Sequence, residues 1–483
     1  MSPTLLFTFV IGYFLILLGV AWYTSRNSNN DSFFIGNRNS NWMLVAFGMI
    51  GTSLSGVTFV SVPGAVGRDA FSYFQVVIGY FLGYFVIAFV LLPLYYRLNL
   101  TSIYNYLSTR LGFVSYKTGA SFFILSRTLG ATARLYLVVK ILQDAILTSF
   151  GVPFWVTTLI ILVMILLYTF EGGVKTIVWT DMLQTTGMLI GLIVCIVYIL
   201  STMNMSFGSG LSAMVDKGYT KVFFTDPTSK LFFLKQILAG AFITVTMTGM
   251  DQEMMQKNIS VRTLGDSRKN MISFSVILLV VNLLFLFLGG LLYLFAASRG
   301  IDVTGDKIFP TVALGHMPPF VSVIFIIALI SALFPSADGA ITALTSSFCI
   351  DILGMQRRKD WTDVKKKRLR QRVHLVFAAI FLFFVMVFYQ INNPSMIGVI
   401  LKVAGYTYGP LLGLFSFGII SGRQVNDRLV PFVAVLAPVI CFLIDKYQAS
   451  LFGGFQIGLE LLIINGLLTY IGLLMISHKT STA

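Results

Sequence analysis

The sequence predicts an all-α membrane protein of about thirteen transmembrane helices, and three observations carry that prediction. Hydrophobic residues fill 57% of the 483 positions and charged residues only 11%, with a mean hydropathy of +0.86. A soluble domain carries charge at about a quarter of its positions. Apolar stretches of about 20 residues, the length that crosses a bilayer, recur along the chain and leave no room for a soluble domain between them. Lys and Arg fall on alternate sides of those stretches.

The first stretch, 4–24, has no basic residue before it and is too long for a signal peptide, so it reads as a retained helix followed by Arg26. In 42–63, Gly48, Gly51 and Gly56 crowd around Thr52, Ser53 and Ser55, a pattern that fits either helix unwinding or close helix packing. After 72–97, the interior of the span 117–147 holds three cations. Arg127 and Arg134 are seven apart, so they share a face within about 20° and stand about 10 Å apart along the axis. Lys140 points elsewhere and is placed to pair with Asp144 at i,i+4. Spans 152–170 and 177–201 lead to 232–252, whose end crowds Thr244, Thr246, Thr248 and Gly249 before Asp251 and Gln252. Interrupted helices in corresponding positions of two halves point to an inverted-repeat transporter with its site at the midplane. The span 270–298 follows. In 319–352 the run Ser331-Ala332-Leu333-Phe334-Pro335-Ser336-Ala337-Asp338-Gly339 sets hydroxyls, a proline and a carboxylate inside an apolar helix. Such residues are costly in lipid and line solute or ion pathways. Spans 372–391, 396–420, 429–447 and 455–477 complete the set.

With the amino terminus outside and the carboxyl terminus cytoplasmic, about 22 of the 34 Lys and Arg lie on the cytoplasmic side, about 7 outside and about 5 within spans. This is the expected topology of a multi-pass protein of the plasma (inner) membrane. The cluster from Arg357 to Arg372 supplies much of the +15 net charge; it reads as a topology signal and a contact for anionic headgroups, not as a nucleic-acid site. Cys195, Cys349 and Cys441 have no paired spacing, and His316, His374 and His478 are dispersed, so neither a disulfide framework nor a metal site is expected. No grouping of nucleophile, base and orienter appears, so no enzyme is expected either.

Three motifs resemble the signatures of the sodium/solute symporter family over nearly the whole chain. They are Glu171-Gly172-Gly173 with Trp179-Thr180-Asp181 and Gln184; Gly249-Met250-Asp251-Gln252 with Gln256 and the linker from Asn258 to Lys269; and Gly405-Tyr406-Thr407-Tyr408-Gly409-Pro410-Leu411-Leu412-Gly413. The resemblance implies a LeuT-like core of two inverted five-helix repeats at 42–201 and 232–420, joined by an extracellular loop at 202–231. An extra helix and cytoplasmic linker at 1–41 precede it, and two helices with a short cytoplasmic tail at 421–483 follow. No cofactor is implied beyond Na+ as the coupling ion, and the expected partners are a small solute and the lipid bilayer, with the chain acting as a monomer.

The resemblance also implies a sodium site built from the carbonyls of Gly51 and Leu54 with Ala332 and Ser336. Pro335 departs from the family pattern, which has two adjacent hydroxyl residues there, and proline supplies no side-chain oxygen to a hard cation. Asp338 falls where some relatives place a serine that joins the aspartate of the Trp-Thr-Asp signature, here Asp181, in a second sodium site. Three readings stay open for Asp338: a relocated sodium site with Asp181, a proton carrier, or a structural pair with a nearby Lys or Arg.

For the solute, relatives that carry acidic sugars place hydroxyls, a glutamine and an arginine where this chain has Ser53, Ser55, Thr58, Gln75 and Arg127 or Arg134. A planar guanidinium matches carboxylate geometry; the competing reading pairs one arginine with Asp181 or Asp338 and lets the other snorkel. Tyr73, Phe74, Tyr406 and Tyr408 are candidates for gating or stacking. The expectation is a sodium-coupled symporter of an acidic sugar such as sialic acid or of another carboxylate. The alternatives are a neutral sugar, inositol or amino-acid symporter, proton coupling through Asp338, and, in a different class, a channel, which would need a continuous polar pore.

Overall fold

The computed structural model describes residues 3–24, 33–34, 36–170, 173–358, 360–391 and 396–479; Arg26 and the Glu171-Gly172 pair lie outside the described residues. The helices that position the site are α1 (Pro3–Thr24), α2 (Trp42–Ser53), α3 (Gly56–Asp69), α4 (Tyr73–Val86), α5 (Phe113–Leu142), α6 (Phe154–Thr169), α7 (Gly173–Thr202), α8 (Phe233–Thr244), α9 (Gln252–Ile259), α10 (Leu264–Ser298), α11 (Pro319–Ser347), α12 (Asp363–Ile391), α13 (Met396–Thr407), α14 (Gly409–Ile420), α15 (Val430–Phe452) and α16 (Leu461–Met475).

Among the described residues, eight helices are long and apolar enough to cross a membrane, and three bent pairs raise that to as many as 11. The pairs are α2–α3, bent by 57°, α8–α9, bent by 65° after a wide turn at Val245–Gly249, and α13–α14, bent by 45°. α6 and α16 are apolar but shorter, so the expected count of about thirteen is reached only by including them.

The first two breaks have local causes. Leu54 leaves helical geometry at φ −88°, ψ 72°, and Ser55 restarts the chain from an extended conformation. The end of a helix leaves its last carbonyls to be satisfied from outside; here the Ile50 carbonyl takes the Leu54 N–H at 2.7 Å. At the second break Asp251 is extended and caps α9, its Oδ1 accepting from the N–H groups of Glu253 (2.9 Å) and Met254 (3.3 Å). The sequence reading ended this span at 252. The chain instead turns and continues as α9, every residue of which is buried.

Close backbone packing sets the frame. α7 packs most extensively on α11, and α4 on α8. A Cβ on Gly79 would collide with the Ile237 carbonyl, and one on Gly240 with the Val76 carbonyl, so α4 and α8 touch main chain to main chain. On α3, Phe59 packs edge-on against Phe285 and at a tilt against Phe309 and Phe325, at centroid distances of 5.6, 5.1 and 5.9 Å, which anchors the second half of the first broken helix to α10 and α11. A short antiparallel pair, Gln424–Val425 with Ser477–His478, ties the end of the chain back to the segment after α14.

Candidate functional site

Side chains from all three breaks are linked through buried polar contacts. Lys257, on α9, reaches back to the first break and donates to Thr52 Oγ1 at 2.6 Å. Tyr408, at the third break, donates to Asp251 Oδ2 at 2.9 Å. Between them lies a chain of charges: Lys257 Nζ to Asp181 Oδ2 at 2.6 Å, Lys257 to Glu253 Oε1 at 3.9 Å, Glu253 Oε2 to the Arg127 guanidinium, and Arg127 to Asp251 Oδ2 at 3.8 Å. Every member is buried. A charge held away from water is tolerated only when paired, and this chain of contacts supplies the pairing.

Beside it lies a cavity of about 90 Å³ bounded by Ser53, Ser55 and Thr58 around the first break, Tyr73, Tyr80 and Tyr84 on α4, Arg127 and Arg134 on α5, and Thr244 and Thr248 from the second broken helix. Ile397, Ile400 and Leu401 of α13 close it. Arg134 is half-buried here, and among the described residues it has neither ion pair nor hydrogen bond. Its neighbour two turns away, Arg127, is neutralised by Glu253 and Asp251.

Several sequence expectations therefore change. Arg127 pairs with neither Asp181 nor Asp338, because α9 brings two other carboxylates to it. Gln75 lies off the cavity: its Nε2 donates to the carbonyls of Ser72 and Leu231, both at 3.1 Å, and its Oε1 accepts from Phe224 N–H at 3.3 Å. It fastens the 202–231 loop. Tyr406 donates to Asp445 on α15 at 2.6 Å and Phe74 is not in the cavity wall. Of the gate candidates only Tyr73 lines the cavity, its hydroxyl 3.4 Å from that of Tyr80, while Tyr408 belongs to the charge chain. Lys140 pairs with Asp144 at 3.0 Å, as its i,i+4 spacing suggests.

At the first candidate sodium position, α2 and α11 meet closely. A Cβ on Gly51 would lie 3.5 Å from Pro335 Cγ, and the Gly51 N–H donates to Thr185 Oγ1 at 3.1 Å. α11 runs unbroken through Pro335, whose missing N–H leaves the Ser331 carbonyl without its helical donor. Ser336 turns its hydroxyl hydrogen onto the Leu333 carbonyl at 2.8 Å, which leaves its oxygen lone pairs free to accept. Leu54, Ala332 and Ser336 are all buried there.

At the second candidate position the two carboxylates have different protein partners. Asp181 Oδ2 is held by Lys257 and Thr52, and Asp338 Oδ2 accepts from Tyr168 at 2.7 Å. No three His, Cys, Asp or Glu side chains among the described residues converge as a metal site would require. Glu253, Lys257, Tyr168, Tyr80 and Tyr84 were missed in the sequence. The available signal was a Glu and a Lys at i,i+4 directly after a capping aspartate, which is the start of a helix and not a linker.

Comparison with known proteins bears on what this arrangement serves. A family model described as "Sodium:solute symporter family" matches residues 33–427. The chain is 23% identical over 442 residues to the sodium/sialic acid symporter NanT of Aliivibrio fischeri, covering 88% of this chain and 85% of that one. To the sodium-coupled monocarboxylate transporter 1 of Mus musculus it is 26% identical over 431 residues, covering 86% and 67%. Its fold is similar to the substrate-bound, outward-open structure of a Na+-coupled sialic acid symporter, with a TM-score of 0.84, 18% identity and 97% of both chains covered.

Proposed function

Because this chain belongs to the sodium:solute symporter family, we propose that it imports a small solute bearing a carboxylate together with sodium, by alternating access, and that Arg134 reads the carboxylate. The observation that carries the proposal is the contrast on α5. Arg127 is already neutralised by Glu253 and Asp251, so a solute anion gains little there, whereas Arg134 faces the cavity with its five donors unspent. Hydroxyls of Ser53, Ser55, Thr58, Thr244 and Thr248 stand ready for a polyol or amide. An acidic sugar such as sialic acid is the leading class, supported by the similarity to NanT.

A second reading is favoured by size. The cavity, at about 90 Å³, is tight for a nine-carbon sugar unless α13 withdraws, and it suits a short monocarboxylate better. Similarity to a monocarboxylate transporter supports it.

We read the chain as a monomer of the plasma (inner) membrane with its amino terminus outside, on the alternation of Lys and Arg. The repeats are taken as 42–201 and 232–420, supported by a break in the first helix of each. The sodium ion is assigned to Gly51, Leu54, Ala332 and Ser336, where α2 and α11 meet. The test is thermal stabilisation of the purified protein by sialic acid, lactate, glucose or proline, in sodium or choline chloride. A carboxylate should stabilise it in sodium, and Arg134→Gln should abolish the effect. Stabilisation by glucose or proline that survives Arg134→Gln would overturn the assignment.

A further inference from the structure

Lys257 occupies a place where a free ion would be expected. Its ammonium lies 2.6 Å from Asp181 Oδ2 and 2.6 Å from Thr52 Oγ1. A carboxylate and a hydroxyl are the oxygen ligands a hard cation takes, at about 2.3–2.6 Å for a calcium ion, so an ion held by these two oxygens would fall on the Nζ position. Ammonium and ion exclude one another there. Among the described residues, the second Asp181 oxygen, Oδ1, is buried with no partner, and both polar atoms of Gln184, one turn along α7, are buried and unpartnered as well. The carboxylate is thus compensated from one side only, by a group the protein itself carries.

The position is also mechanical. Thr52 stands two residues before the first break, Asp181 on α7, and Lys257 two turns past the second break. A free ion bridging α2, α7 and α9 would join them only while bound. A lysine joins them permanently, at the cost of an ion that cannot leave.

Resting on the sodium-symport reading above, we propose that Lys257 is a tethered cation that fills the Asp181 position, so that transport uses the single sodium ion held where α2 and α11 meet. Removing the ammonium while keeping Asp181 should convert the position into a sodium site. The chain would then carry the charge of one external cation per cycle, with Lys257 serving as the counter-charge that a second sodium would otherwise provide.

The experiment is a titration of NaCl against choline chloride on purified protein, reading melting temperature, with wild type, Lys257→Gln and the double variant Lys257→Gln/Asp181→Asn. Wild type should respond as a single site does, its melting temperature rising with the logarithm of sodium concentration at the slope of one bound ion. Lys257→Gln should show a sodium-dependent rise about twice that of wild type, since a second site adds a second logarithmic term. The double variant should return to the wild-type response, because removing both partners leaves no stranded charge. Should Lys257→Gln be unfolded in choline, folding restored by sodium supports the proposal; failure of sodium to restore it while the double variant folds overturns it. A sodium response in Lys257→Gln equal to that of the double variant also overturns it, as does a wild-type slope of two bound ions that the double variant reduces to one. A wild type blind to sodium would instead overturn the sodium-symport reading, and the difference between the two Lys257 variants would still decide this one.

Discussion

Glu253 rests against Gly339: a Cβ on that glycine would collide with the Glu253 Oε1 oxygen, so the absence of a side chain on α11 is what lets the carboxylate lie between Arg127 and Lys257. Gly339→Ala should therefore push Glu253 off Arg127. Overpacking of this kind costs about 1–3 kcal/mol, and a lowered melting temperature with reduced uptake is the expected result. A variant as stable and active as wild type would mean that Glu253 has room to move.

Arg134→Gln should raise the half-saturating concentration of a carboxylate solute by about tenfold to a hundredfold, the equivalent of about 1.5–3 kcal/mol for a hydrogen bond to a charged group. Arg134→Lys should rescue poorly, because a point charge lacks the planar fork. Arg127→Gln should behave differently, lowering stability more than affinity, since it strands Glu253 in a buried site. Uptake kinetics beside melting curves on the three variants separate the two roles.

Ser336→Ala should weaken sodium dependence of uptake by about tenfold, by removing one oxygen ligand. Pro335→Ser should act in the opposite direction, restoring a hydroxyl and an N–H in the same step. Half-saturating sodium concentrations for the pair provide the check.

Asp338→Asn keeps an acceptor for the Tyr168 hydroxyl, which now sits 2.7 Å from Asp338 Oδ2. With Asp181 engaged by Lys257, the expected result is wild-type sodium affinity. A large loss would return Asp338 to the sodium shell, and a flattened pH profile of uptake at unchanged sodium affinity would identify it as a proton carrier.

Burial holds the Asp306 carboxyl above the usual aspartate range, partly offset by the Met396 N–H that donates to it at 3.1 Å. An acid whose pKa is raised on folding binds more protons folded than unfolded, so its contribution to stability falls as pH rises from about 4, the unfolded value, through the folded one. Asp306→Asn should remove that slope, as a pH series of melting temperatures would record.

The broken helices were legible in the sequence because two such clusters of glycine and hydroxyl residues recur in corresponding positions of two halves, and Gly51 through Ser55 with Thr244 through Asp251 both mark real breaks. α9 was not legible. Its Asp251, Glu253 and Lys257 look like the start of a solvated linker, and only the tertiary structure, which buries the whole helix against α11 and α2, shows that they compensate one another. The same holds for Arg127 and Arg134: spacing places both on one face of α5, but which of them is neutralised depends on carboxylates more than a hundred residues away. Gln75 differs for the opposite reason, since an amide in the first turn of α4 satisfies a loop as readily as a ligand.

The contact of α4 with α8 through Gly79 and Gly240 makes a built-in ruler. Two backbones with no side-chain layer between them cannot slide by exchanging rotamers, so the distance across this seam is fixed whatever the rest of the bundle does. Spectroscopic labels set across it should report one separation in sodium, in choline and with solute. Any pair of labels whose distance changes under those conditions must then include a position outside this beam, and the seam becomes the fixed frame against which every other displacement in the transport cycle is measured.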